Sequence, residues 1–162
     1  MATTLPPDLE LAPLDGEAKP MAAWLTTFHL CSVVLDPYTN QSSWVLDPAT
    51  KVLAQLRDAG VRVNWIVTAT SDEAREFLGP LADRFLTFCD PDRAFVKAAG
   101  LEHLPAFLVV QQNLTVPVKA EGWNPVEWRE VGAFVADLVG WTKPQVPSAG
   151  DPSAFHGTPA LG

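Results

Sequence analysis

The chain has 162 residues, 48% of them hydrophobic, which is material for one domain around a single core. Its 19 acidic against 11 basic side chains give a formal charge of -8, which repels nucleic-acid phosphates and anionic lipid and removes both from the expected partners. No basic stretch followed by an apolar one opens the chain and no apolar run is long enough to cross a bilayer, so a cytoplasmic protein with no membrane role is expected, with Cys31 and Cys89 reduced.

Residues 1–20 are acidic and proline-rich and read as a tail. Residues 21–142 read as the folded domain, and residues 143–162, rich in proline and glycine, as a second tail that Phe155 and Leu161 would tether. Within the domain the period of the apolar residues switches repeatedly. His29-Leu30-Cys31-Ser32-Val33-Val34-Leu35 predicts a strand buried on both faces. Ser43 to about Ala59 predicts a helix with Val45, Val52, Leu53 and Leu56 inward and Gly60 at its end. Residues 61–67 predict a second strand. Thr70-Ser71-Asp72-Glu73 is a capping box, and the helix it opens carries Ala74, Phe77, Leu78 and Leu81 inward until Gly79-Pro80 bends or ends it.

Phe85-Leu86-Thr87-Phe88 predicts a third strand. Asp90-Pro91 predicts an N-cap with proline at the first helical position, and that helix runs to Gly100. Residues 107–110 and 114–118 predict a hairpin around Gln111-Gln112-Asn113, with Pro117 placing its strand at an edge. Asn124 caps the last helix, Pro125 and Glu127 follow it, and Trp128, Val131, Val135 and Leu138 form the inward stripe. The order β-α-β-α-β-α-β-β-α implies a mixed sheet with helices on both faces.

That order, together with Leu104-Pro105-Ala106-Phe107-Leu108 ahead of the hairpin, resembles the thioredoxin-like superfamily, especially the peroxiredoxins and thiol-disulfide proteins with an inserted α-β unit. Asp90-Pro91-Asp92-Arg93, Ala98-Ala99-Gly100-Leu101 and Gly122 are similar to further pieces of the family pattern, and the likeness covers roughly residues 22–141. The resemblance implies a three-layer α/β/α sandwich with a mixed central sheet and a cis-proline at Pro105 beside the active site. It also locates a departure. Counting back from Pro48 puts the two cysteine positions of Cys-x-x-Cys at Asn40 and Ser43. Anchoring instead on Pro37 puts the peroxiredoxin threonine at Gln41 and the peroxidatic cysteine at Trp44. Neither register contains sulfur.

Exchange with a disulfide and reduction of a peroxide both require a thiolate, and a serine hydroxyl without a paired base is not ionised near neutral pH. Ser42 and Ser43 would need His103 as base and a carboxylate such as Asp36 or Asp47 to orient it; the plainer reading is that the serines cap the first helix and His103 is a solvated loop residue. Cys31 reads as an inert strand residue. Cys89, just ahead of a helix start, is the candidate nucleophile of an alternative reading as a single-cysteine peroxidase or oxidoreductase, or else a structural thiol. A Cys31–Cys89 disulfide is not expected, because another strand separates theirs and the bond needs Cα atoms within about 7 Å.

His29, His103 and His156 are too widely spaced to suggest a metal site, and no glycine-rich phosphate loop is present, so no cofactor is expected. Trp44 and Trp123, if exposed with Tyr38 and Phe107, would be anchors for a protein partner. The expected function is therefore a redox-inactive thioredoxin-like protein that binds a protein or peptide, or supports an assembly such as a homo-oligomer. Its groove would be formed by Tyr38, Asn40, Gln41, Ser42, Ser43, Trp44, Leu104 and Pro105, where backbone beside the proline can pair with an extended segment.

Overall fold

The computed structural model describes residues 3–162; Met1 and Ala2 of the expected N-terminal tail lie outside the described residues. In chain order the first elements are β1 (Thr3–Thr4), β2 (Glu10–Pro13), β3 (Lys19–Pro20), α1 (Met21–Trp24), β4 (Leu30–Leu35), α2 (Asn40–Trp44), α3 (Leu46–Leu56) and β5 (Arg62–Val67). There follow α4 (Ser71–Leu78), α5 (Leu81–Arg84), β6 (Leu86–Cys89), α6 (Ala94–Ala98), β7 (His103–Leu104), β8 (Ala106–Val110), β9 (Thr115–Val116), β10 (Lys119–Glu121), α7 (Pro125–Val139) and β11 (Thr158–Pro159).

Seven strands form one mixed sheet in the order β10-β8-β4-β5-β6-β2-β3. β4, β5 and β6 run parallel, and β8, β10, β2 and β3 each join antiparallel to a neighbour. Every residue of β4 is buried, as its unbroken apolar run requires of a strand covered on both faces. The strand period of two then sorts side chains into two layers. Cys31, Val33, Leu35, Val63, Trp65, Val67, Phe107 and Val109 face α3, α4 and α7; Leu30, Val34, Ile66, Leu108 and Val110 face α1 and α6. Burying each large side chain contributes roughly 1.5–3 kcal/mol. Around α7 the aromatics add shape-specific contacts, with Phe107 stacked on Trp128 at 4.9 Å and Trp123 edge-on to Trp128 at 5.1 Å.

Local signals hold where they depend only on near neighbours. The Thr70 side chain accepts from the Glu73 amide and opens α4, which ends at Gly79, and Asn124 accepts from Val126 and Glu127 to open α7 with Pro125 inside its first turn. Other expectations shift. The first long helix is two: Val45 (φ -88°, ψ -10°) divides α2 from α3, and α3 ends at Leu56 rather than near Ala59. Asp90 does satisfy helix-start amides, those of Phe95 and Val96, but from beyond a turn. Arg93, in the left-handed region at φ 59°, is the residue next to the helix, and Pro91 lies in that turn rather than at the first helical position. Leu138, expected inward, is exposed.

The hairpin also pairs differently. β8 is partnered by β10, with Ala120 opposite Phe107, whereas Thr115 and Val116 pair with Thr4 and Thr3. Pro117 lies between those two short strands and separates them, since it has no N–H to carry one ladder through. The segments expected as tails also contribute strands and buried side chains. Residues 3–20 supply β2 and β3 to the main sheet and bury Leu5 and Leu11 completely, and residues 143–162 run back over α3 and α7 to end against β7.

Candidate functional site

At the carboxyl end of β4 the chain turns through Asp36 into α2, and Asp36 organises the turn. It is 2% exposed. Its amide donates to the Ser42 hydroxyl at 2.9 Å, one carboxylate oxygen accepts from the Tyr38 amide at 3.0 Å, and the other accepts from the Arg93 guanidinium at 3.1 Å. Ser42 is thus a buried structural acceptor, while the exposed Ser43 hydroxyl donates to the Asn40 carbonyl at 2.6 Å. No hydrogen bond joins either serine to His103, which is exposed on β7, and Asp47 lies in solvent paired with Lys51 at 3.5 Å. The serine, histidine and carboxylate groups are not assembled for nucleophilic catalysis.

Both cysteines are free and buried. Burial pushes the Cys31 thiol up to about 12. It also raises Cys89, with Arg75 pulling weakly in the other direction. Cys89 is 9% exposed, and its burial disfavours the thiolate, the form that attacks peroxides and disulfides. The two residues are separated by β5, and the register sets Cys31 opposite Val63 but Cys89 opposite Val67. Two strand spacings and four residues of rise amount to about 16 Å, far beyond a disulfide.

The expected groove residues divide into two groups. Tyr38, 60% exposed, leans away toward α4, where its hydroxyl donates to Glu73 at 2.9 Å beside a cavity of about 260 Å³ lined by Pro37, Glu76 and Phe77. Trp44, 53% exposed, lies instead against Phe155 of the C-terminal segment, whose Thr158 pairs with Leu104 ahead of Pro105. The Leu104–Pro105 peptide is cis, and the Pro105 carbonyl accepts from the Gly122 amide at 2.7 Å. The Gln41 side-chain oxygen is buried and has no partner among the protein groups around it. Of the other aromatics considered as anchors, Phe107 and Trp123 are core residues and are not available to a partner.

The chain's own C-terminal segment covers the edge beside Pro105. Phe155 packs edge-on against Trp44 with ring centroids 5.6 Å apart and exchanges two backbone hydrogen bonds with Trp123, at 2.8 and 3.0 Å. Thr158 pairs antiparallel with Leu104 and Pro159 with His103. The Ala160 amide donates to the Glu102 carbonyl at 2.9 Å, and its carbonyl accepts from Arg93 at 2.6 Å. Glu121 stabilises the receiving strand by accepting from the amides of Glu102 and His103, at 2.6 and 2.7 Å. Arg93, Glu121, Gly157 and Ala160 are site residues that the sequence reading missed. Of the two residues that the sequence offers as tethers, Phe155 packs on the body while Leu161 is exposed.

Among the described residues no group of three His, Cys, Asp or Glu is placed to hold a metal ion, and no helix is long and apolar enough to cross a membrane. No family model matches the chain, and no curated protein is significantly similar to it. Solved structures do match. One from Chlorobium tepidum, described as a thiol:disulfide interchange protein DsbE, is 15% identical with a TM-score of 0.65, covering 86% of this chain and 96% of its own. Peroxiredoxin Q of Xanthomonas campestris is 16% identical with a TM-score of 0.62, covering 84% and 94%. A hypothetical protein of Sinorhizobium meliloti is 15% identical with a TM-score of 0.65, and its match covers 99% of this chain, both terminal segments included, and 94% of its own. The chain therefore has the thioredoxin-like fold, and its cysteines stand outside any Cys-x-x-Cys arrangement.

Proposed function

We propose that this protein is a thioredoxin-fold polypeptide-binding or assembly module that works without dithiol chemistry, using the edge at His103-Leu104-Pro105 together with Trp44. One observation carries the reading: an extended segment lies antiparallel on that edge, held by main-chain pairing at Leu104 and His103, with hydroxyl and amide groups rather than thiols on the adjoining helix. Pairing of this kind adds a strand to an exposed edge and needs no sulfur. A cytoplasmic setting belongs to the same reading, because two free, buried thiols are at home in a reducing compartment. Where the partner is a second copy of the chain, molecular mass in solution reveals it.

The test has two arms. The purified protein is expected neither to reduce insulin disulfides nor to consume hydroperoxide with turnover; catalytic activity in either assay ends the proposal. Affinity capture with wild type and with Trp44→Ala plus Pro105→Ala, both folded, is expected to differ in recovered proteins, and identical recovery removes this edge as the binding surface.

A further inference from the structure

Residues 155–160 fit the edge through three requirements that any occupant would have to meet. At the first position an aromatic ring lies against Trp44, whose own face remains half exposed. At the third, Gly157 crosses the receiving strand with φ +89°; a Cβ there would stand 2.8 Å from the Leu104 carbonyl oxygen and 3.2 Å from the Gly122 Cα. Only glycine fits. At the sixth, Ala160 is 2% exposed within the apolar layer beside α6 while Arg93 takes its carbonyl. Between these points the main chain is held at Thr158 and Pro159, whose side chains are not enclosed.

Taking the edge as the binding surface proposed above, we infer that the site selects an extended polypeptide with an aromatic residue first, glycine third and a small residue sixth. Residues 155–160 are its resident ligand, and a partner segment of the same chemistry binds by displacing them. The resident copy competes from the same chain at an effective concentration on the order of millimolar. A peptide that would bind the vacant edge at about 10 µM is then weakened on the order of a hundredfold. Three contacts suit release: Phe155 is only partly buried, β11 is two residues long, and its partner β7 lies outside the main sheet.

The experiment uses full-length protein and a fluorescent peptide with the sequence of residues 152–162. Gly157→Val places a side chain where the Leu104 carbonyl stands and expels the resident segment, which amide exchange at Ala160 reports. Ala160→Asp expels it through an independent contact and serves if the first variant is poorly folded. Both variants are expected to bind the wild-type peptide at least tenfold more tightly than the wild-type protein does, and to ignore a peptide carrying valine in place of its glycine. Equal affinity of variants and wild type, with the amide of residue 160 exchanging freely in both variants, overturns the competition while leaving the edge a binding surface. Absence of binding once the segment has left overturns both readings. Unchanged exchange in two folded variants makes the segment a fixed part of the core and overturns the inference.

Discussion

Residues 3–20 and 143–162 share a composition, rich in proline and without helical or strand period, yet the fold uses them in different ways. The first segment joins the main sheet through β2 and β3 and sends Leu5 and Leu11 wholly into the layer beneath α1 and α6. The second rests on separated anchors: Gln145 on Gln55, Asp151 on Lys51, Phe155 on Trp44 and Trp123, and Ala160 on Glu102 and Arg93. It buries Pro144, Val146 and Ala160 but no large apolar side chain. Proline limits regular backbone pairing, and it says nothing about burial. What separates a structural segment from a displaceable one is how much side-chain volume it commits to the core.

The comparison can be pressed at several points. Arg93→Ala strikes both sides at once, since it leaves Asp36 buried without its ion pair and frees the Ala160 carbonyl. A loss of about 4 kcal/mol in urea unfolding is expected, accompanied by faster exchange at Ala160. Leu11→Ala tests the first segment alone and should cost about 3 kcal/mol, lowering the melting temperature by roughly 10 °C. A change below 1 kcal/mol would mean the segment is as dispensable as its composition suggests.

Cys31→Val probes the core shared by the central strands. The folded state keeps this thiol protonated up to about pH 12, whereas the unfolded thiol ionises near its ordinary value of 9.0. The stability tied to that difference is complete below pH 9 and is lost as pH rises toward 12, by about 1.4 kcal/mol per pH unit. The variant should flatten this alkaline decline in urea midpoints and leave pH 7 stability nearly unchanged. Phe155→Ala is expected to have the smallest global effect, about 1 kcal/mol or less, while opening residues 155–160 to exchange. Global unfolding as severe as that of Leu11→Ala would erase the distinction between the two segments.

The sequence revealed what neighbouring residues decide. The apolar runs of β4 and β5 and the caps at Thr70 and Asn124 are local, and they stand as read. Partners far along the chain were not legible: β9 pairs with residues 3–4, and β2 finds β6, because those choices depend on where remote edges fall in space. The missing thiols near Asn40 and Ser43 could be read by counting. The occupant of the edge could not, because Phe155, Gly157 and Ala160 acquire meaning only against Trp44, Leu104 and Arg93. Arg93 itself sits in a segment whose Asp-Pro start suggested a simple cap, and its left-handed backbone turned it toward Asp36 instead.

Gly122 and Gly157 face each other across the covered edge: a Cβ on Gly122 would come within 2.5 Å of the His156 carbonyl, and one on Gly157 within 3.2 Å of the Gly122 Cα. Beyond their positive φ, the backbone of Phe155 and His156 closes the space at Gly122 and the Leu104 carbonyl closes it at Gly157, so each is held to glycine while the segment is seated. Relatives that have lost the stretch equivalent to residues 155–160 would be released from half of this constraint and could carry asparagine, which tolerates φ near +69°, at position 122. A single column of an alignment would then distinguish chains with a covered edge from chains with a bare one.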